Sequence, residues 1–423
     1  MPTTTLYVGI DVSLRTNQVC AINFNQDIFF NESFENSPAG TDKVILKLIS
    51  VLRAHSELTK IQVCMETTNV YHIHCSSSLS ADARLLLHGC KVYVVNAKLI
   101  EKYKETFVER EKTDPEDAFL CADYVRIGKC KNVMPTMGYR NLALQRLTRQ
   151  RKHIAELIRK EKQYLSVNLY LKYSALKTDP ESSPFSDIYG KTSSVMLTDF
   201  LSTEEIVEAD LSDLVTKIAE SSRKRISDPE TAAKLLKKVV RNSYRLDTMA
   251  ADSVSMAMSS SFRLIHCYQK ELKQLDKEII RMVESSGNNY YTILTSIKGV
   301  GPVFAAGIIA EIDDINFFKD DSHLASYCGL RWKRKQSGPK DSDHRKQPNS
   351  CNSFLRYYIV EATGSVIRYS DDLASHYYKK RKEVKINSHK RALVLTSRKF
   401  VRLVFGLLRN NKLFDDHYLA AIS

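Results

Sequence analysis

Four acidic residues occupy positions where the sequence pattern ends one element or begins another. Asp11 lies in Gly-Ile-Asp-Val-Ser at the end of an apolar strand, and Glu66 closes the apolar run IQVCME. Asp114 and Asp117 stand three residues apart in KTDPEDAFLCADYV, a spacing that puts both on one face of a helix. If the strands ending at Asp11 and Glu66 are neighbours, these two carboxylates emerge side by side at one sheet edge, and the helix can pack across it. Four hard oxygen donors brought together repel one another unless cations fill the space between them. Mg²⁺, or Mn²⁺ in its place, suits such a set because it prefers carboxylates and keeps open water positions. Two such ions activate an attacking oxygen and stabilise a leaving one during phosphodiester cleavage. A plainer reading stands beside this one: Asp114, Pro115 and Asp117 also spell a helix start, with Asp114 as N-cap, proline at N1 and an acid at N3. Asp11 would then be an ordinary turn residue of a hairpin.

A second candidate is a serine in a basic setting. Residues 331–356 carry eight Lys or Arg against two Asp, with Trp332 among them. Basic side chains interleaved with an aromatic suit phosphate contact and base stacking. Lys333, Arg334, Lys335, Arg345 and Arg356 are the candidate backbone clamps. Ser337 precedes Gly338 and Pro339, which predicts an exposed loop. A serine there can attack a phosphodiester if it is activated, since a free hydroxyl is a poor nucleophile; Ser342 is the alternative. The plainer reading is a solvated charged loop.

The elements that must position these groups follow from periodicity. LYVGIDVS, NQVCAINF and DIFFNESFE alternate as three strands. Residues 42–54 carry apolar side chains at helical spacing. IQVCMETT is a buried strand, 71–79 a helix, KVYVVNA a further strand, and a helix follows from Lys98. The order βββ-α-β-α-β-α predicts an α/β RNase H-like domain, a mixed sheet with helices on both faces, over residues 1–135. Residues 136–287 form a helical region: a long charged helix over 141–176, a Ser-, Pro- and Asp-rich boundary over 178–203, helical pattern over 204–245, and a heptad-like seam at Ile265, Tyr268, Leu272, Leu275, Ile279 and Met282. That seam is too short to establish a coiled coil but is suited to pairing with the long helix. Residues 288–423 form a mostly α unit opening on TSIKGVGPVFAAGIIAEI, with a tight Gly299-Val300-Gly301 turn and Pro302 at a helix N1 position. This arrangement resembles a helix-hairpin-helix element, whose turn amides can hold a phosphate.

Composition narrows the class. A formal net charge of +14 over 423 residues points to a polyanionic partner, nucleic acid before a membrane surface. The longest nearly uncharged apolar run, 299–310, is far short of the ~20 residues of a spanning helix. The N-terminus has no basic-then-apolar leader pattern, and the expected location is the cytosol of a bacterium or archaeon, on its nucleoid. Nine cysteines without a Cys-x-x-Cys pair fit reduced core thiols.

Taken together, YVGIDVS, METT, KTDPEDA, the block from TSIKGVGPVFAAGIIAEI through LASYCGL, the Ser337-Gly338 pair and NSFLR resemble the insertion-sequence transposases of the IS-one-ten type, related to the Piv DNA invertases. The resemblance covers most of the chain outside roughly 176–245. It implies a RuvC-like N-terminal domain binding Mg²⁺ through a DEDD set at Asp11, Glu66, Asp114 and Asp117. It further implies a C-terminal transposase domain with a nucleophilic serine at Ser337, dimers or tetramers, and guidance by a structured noncoding bridge RNA that pairs with donor and target DNA. The long middle helices would then serve dimerisation and RNA binding. The sequence departs from the family in PKDSDHRKQPNSCNSFLR, where Cys351 stands in place of a common glycine, and in its longer middle segment.

Three other readings make distinct demands. An actin-like sugar kinase shares the GIDVSLRT start but needs a second phosphate loop and an adenosine motif, neither of which is found. A structure-specific nuclease or junction resolvase keeps the carboxylates and dispenses with Ser337. A noncatalytic nucleic-acid-binding protein requires no clustering of the acids.

Overall fold

A computed structural model of the chain describes residues 4–67, 69–107, 113–133, 136, 142–176, 183–199, 202–331, 336–337, 340–341 and 351–415. The chain forms two compact units, one of residues 1–143 with 313–352 and the other of residues 144–312 with 353–423.

The first unit is organised by a five-stranded sheet, β1 (Thr5–Val12), β2 (Thr16–Ile22), β3 (Ile28–Glu35), β4 (Lys60–Glu66) and β5 (Lys91–Val95), in the order β3-β2-β1-β4-β5. The first three strands are antiparallel, whereas β4 runs parallel to β1 and β5 parallel to β4. β1 is therefore central and covered on both faces, which is why LYVGIDV reads as a nearly continuous apolar run. One face, with Leu6, Val8, Ile10, Val19, Val63 and Val92, packs on α1 (Pro38–Ala54), α2 (His72–Ala81) and the short α3 (Ala83–Leu86). The other face, with Tyr7, Cys20, Cys64 and Val95, packs on α4 (Ala97–Lys104) and α5 (Asp114–Arg126) through Ile100, Ala118, Cys121 and Ala122. α1 begins four residues before the predicted start because Ser37 caps it, its side chain accepting from the Gly40 amide at 3.0 Å, with Pro38 in the first turn. All nine cysteines are free thiols, and seven of them are buried.

The second unit is helical. It opens with α6 (Leu142–Lys172) and continues through α7 (Lys191–Ser194), α8 (Thr203–Glu208), α9 (Leu211–Ser221), α10 (Pro229–Asn242), α11 (Thr248–Ser285), α12 (Asn289–Thr295) and α13 (Pro302–Ile312). The predicted seam helix starts earlier than its apolar repeat does, because Asp247 caps α11 through the Ala250 amide. α6 and α11 pair within the chain and run antiparallel: Arg151 meets Asp276 near one end and Lys172 donates to Ser255 at 2.7 Å near the other. Pro302 opens α13 after the Gly-Val-Gly turn, where Gly299 takes a φ of 99°. An added Cβ at Gly299 would lie 2.9 Å from Val366 and from the Tyr369 ring, so only glycine fits there. The chain then passes through α14 (Asp321–Tyr327) and the two-residue strands β6 (Gln336–Ser337) and β7 (Lys340–Asp341), which belong to the first unit. It returns to the second for α15 (Ser353–Val366), α16 (Asp371–Lys382) and α17 (Ser388–Arg409).

Candidate active site

The sheet register decides where two of the acids stand. Ile10 of β1 pairs with Met65 of β4, so Asp11 and Glu66 follow as neighbours at the same edge. Alternation along the strands puts Tyr7, Gly9 and Asp11, and likewise Cys64 and Glu66, on the face covered by α5. α5 then supplies Asp114 and Asp117 from its first turn, where the unpaired amides of a helix N-terminus favour negative charge. The N-cap position belongs to Thr113, whose side chain makes no capping bond. The plainer assignment of Asp114 as N-cap residue is therefore one residue out of register: Asp114 is already helical, and its carboxylate is not spent on capping.

Lys104, at the C-terminal end of α4, joins the acids. Its Nζ lies 2.9 Å from Asp117 and 3.6 Å from Glu66, and Lys104 and Asp117 are each 14% exposed. Burial, above all, pushes the Asp11 carboxyl above its ordinary value; the adjoining Asp114 and Glu66 charges push it further, against the pull of Lys104 and a bond from the Val12 backbone. The four acids thus share one electrostatic neighbourhood, with a lysine ammonium as its cation. Among the described residues, no group of three or more His, Cys, Asp or Glu side chains stands ready to hold a metal ion. Carboxylates repel one another at short range, and the Lys104 ammonium supplies positive charge beside Glu66 and Asp117. Hard oxygen donors on three rigid elements nevertheless fit a small divalent cation in type and in charge.

Several residues that the sequence reading did not single out build this arrangement. An added Cβ at Gly9 would lie 2.0 Å from the Ala118 carbonyl oxygen and 2.2 Å from the Ala122 amide, both backbone atoms of α5. The missing side chain lets α5 lie directly on β1. Thr67, the first threonine of METT, donates its backbone amide to Val95 and accepts the Ala97 amide on its Oγ1 at 3.3 Å, which sets the start of α4 beside β4. Asp123 is buried on α5, where it accepts from Gln26 at 2.8 Å, from Arg126 at 2.7 Å and from the Tyr103 hydroxyl. Burial alone would raise its pKa, yet these donors hold the carboxyl below its ordinary value. Tyr103 precedes Lys104, so the Asp123 network ties α5 to the turn of α4 that carries the site lysine. No spacing in the sequence signals these roles, which depend on close approach and long-range pairing.

The serine segment is described only in part. Ser337 ends β6 and pairs antiparallel with Lys340 of β7, with Gln336 opposite Asp341. This hairpin belongs to the same compact unit as the four acids. Lys333, Arg334, Lys335, Ser342 and Arg345 lie outside the described residues. Arg356 is half-buried in the first turns of α15, which is in the other unit. No described helix is long and apolar enough to cross a membrane.

Residues 8–173 match the family described as "Transposase", of the DEDD IS110 type, and residues 291–379 match the "Transposase IS116/IS110/IS902 family". The chain is 22% identical over 409 residues to an insertion element IS116 protein of Streptomyces clavuligerus, covering 97% of this chain and 96% of that one. It is 23% identical over 412 residues to the pilin gene-inverting protein of Moraxella bovis, covering 97% of each. An insertion element IS110 protein of Streptomyces coelicolor shares 25% identity over 175 residues, 41% of each chain. Transposases and DNA invertases act on DNA as recombinases. With both matched stretches present and in order, the chain carries the two transposase domains of the IS110/IS116 family.

Proposed function

We propose that the chain cleaves and exchanges DNA strands through a covalent serine–DNA intermediate, with a divalent cation, Mg²⁺ by preference, held by Asp11, Glu66, Asp114 and Asp117. The reading is supported by the placement of the acids at one sheet edge, where Lys104 pairs with Glu66 and Asp117 and the Asp11 carboxyl feels Lys104, Asp114 and Glu66, in a β3-β2-β1-β4-β5 sheet consistent with an RNase H-like domain. When bound there, the cation supplies Lewis-acid stabilisation of the attacking and leaving oxygens. Lys104 balances the acidic charge, and the carboxylates it holds are those a divalent cation would take over. Ser337 is the nucleophile: its Oγ forms a bond to phosphorus, the bond from phosphorus to the deoxyribose oxygen breaks, and the hydroxyl proton passes to that leaving oxygen by way of solvent. The phosphodiester energy is kept in the phosphoserine bond, so religation to a new strand needs no nucleotide triphosphate. Lys333, Arg334, Lys335, Arg345 and Arg356 contact the DNA backbone. Target choice by a structured noncoding RNA and assembly as a homodimer or tetramer complete the reading, in keeping with the resemblance to the family.

The test is a covalent-adduct assay. The purified protein with its co-purifying RNA is mixed with element-end DNA and Mg²⁺, denatured, and examined for DNA that migrates with protein. An adduct in wild type that is absent in Ser337→Ala and in Asp11→Ala is the expected result. An adduct that survives in Ser337→Ala moves the nucleophile to Ser342. Cleavage without any adduct would replace recombination by hydrolysis, and unimpaired cleavage by Asp11→Ala and Glu66→Ala would remove the metal reading.

A further inference from the structure

Between the two family-matched stretches lies a helical module whose charge is sharply sorted. From Lys217 to Arg245 there are nine Lys or Arg and three Asp or Glu. α10 buries Ala232, Ala233, Leu236, Val239 and Val240 in the module's core and turns Lys234, Lys238 and Arg241 outward, at spacings of four and three that align them on one face. α9 packs beside it through Leu214 and Ile218. In the turn between them, Arg223 and Lys224 take φ values of 52° and 58°. This left-handed conformation at a helix end usually falls to glycine, and here two consecutive exposed basic residues hold it, followed by exposed Arg225. Tyr244, 81% exposed, follows the stripe.

The pairing pattern is as informative as the count. Lys234 is paired with Glu230 and Arg245 with Glu204. Among the described residues, Arg223, Lys224, Arg225, Lys238 and Arg241 have no acidic partner within 4.0 Å. A helix laid on a membrane would direct apolar side chains at the lipid, but the apolar face of α10 is consumed in the core and its outward face is polar throughout. From Lys234 to Arg241 the stripe extends about 10 Å, the rise of about three phosphates along one strand of a duplex.

We propose that the outward face of α10, with the Arg223–Arg225 turn before it, binds the phosphate backbone of a nucleic-acid double helix. The contact is electrostatic and independent of sequence, and the exposed Tyr244 lies at its C-terminal end. The surface makes no use of the acidic residues or of Ser337, so failure of this proposal and failure of the recombinase reading are separately observable.

The experiment measures binding of the full chain to a labelled DNA duplex and to a labelled RNA hairpin by fluorescence anisotropy over a range of salt. Lys238→Gln/Arg241→Gln is compared with wild type, with Arg223→Gln/Lys224→Gln/Arg225→Gln, and with a charge-matched control, Lys43→Gln/Lys60→Gln, at exposed positions of the other unit. For the α10 variant the expected result is severalfold weaker binding and a salt slope shallower by about 1.8, at about 0.9 for each lost duplex contact. The turn variant should lose still more, and the control should keep the wild-type slope. Loss confined to RNA identifies RNA as the ligand, loss confined to DNA identifies DNA, and loss of both identifies a shared backbone site. Unchanged affinity and slope with both nucleic acids, or an equal loss in the control, overturns the proposal and leaves an acidic protein face as the partner. Thermal melting of each variant confirms that it folds.

Discussion

At the scale of single residues, the informative group is Asp11. It is half-buried beside two other carboxylates, and the pull of Lys104 does not cancel the effect of burial. Burial and these neighbours raise its folded-state pKa above the ordinary value, so between the two values the folded protein holds more protons than the unfolded chain. Stability contributed at this position is therefore lost as pH rises through that interval. Asp11→Asn removes the charge without removing volume. Without added metal, its Tm should match wild type at a pH below the ordinary aspartate value and exceed it at neutral pH by on the order of 1–3 °C. Mg²⁺ should close the gap by stabilising wild type selectively. Scanning fluorimetry across pH, with and without Mg²⁺, reads both effects. A variant less stable than wild type at neutral pH without metal would contradict the electrostatic account, while DNA cleavage by the variant would contradict the catalytic one.

At the scale of elements, the site depends on α5 lying against β1 closely enough for its first turn to reach the sheet edge. Gly9 permits this, since a Cβ there would stand inside the van der Waals limit of two α5 backbone atoms. Backbone atoms cannot swing aside as the end of a flexible side chain can. Gly9→Ala should therefore displace α5, at a cost of about 1–3 kcal/mol as for other overpacked cores, and should carry Asp114 and Asp117 away from Asp11 and Glu66. The predicted outcome is a lower urea midpoint together with loss of Mg²⁺-induced stabilisation. Retention of the full Mg²⁺ response would show that the close approach does not serve the site.

At the scale of the whole molecule, the two family-matched stretches interlock within the second unit. α6 closes the first stretch, while α13 and α15 belong to the second. Arg149 of α6 grips Glu311 of α13 with two bonds, at 2.8 and 2.9 Å, and its guanidinium lies 4.6 Å from the centre of the Phe354 ring of α15. The Glu311 side chain is 0% exposed. Tyr358 of α15 reaches back to the Thr148 carbonyl at 2.7 Å and packs its ring where Gly307 leaves room. Arg149→Ala deprives a buried carboxylate of its guanidinium and should cost on the order of 3 kcal/mol, read as a shift in the denaturation midpoint. Arg149→Ala/Glu311→Leu should recover a substantial part of that loss, because no charge is then left in the core. A double variant as unstable as the single would place the effect in packing on Phe354 instead.

Local pattern determined much of this protein. Alternation defined β1 to β5, and 3.6-residue spacing defined α1, α6 and α11. The order of elements placed Asp11 and Glu66 at strand ends and Asp114 and Asp117 on one helical face. These features were legible because each depends on a residue and its near neighbours. Tertiary structure decided the rest. The N-cap fell to Thr113 instead of Asp114, because the helix start is set where α5 docks on the sheet. Lys104, 38 residues from Glu66 in the chain, became the counter-charge of the acids because β5 and α4 carry it back across the sheet edge. Gly9, Thr67 and Asp123 acquired their roles through contacts with α5, α4 and the Gln26 turn, and no periodicity encodes such contacts. Sequence patterns record which face of an element is buried; only the folded chain determines what that face meets, since the meeting depends on distances between residues far apart along it.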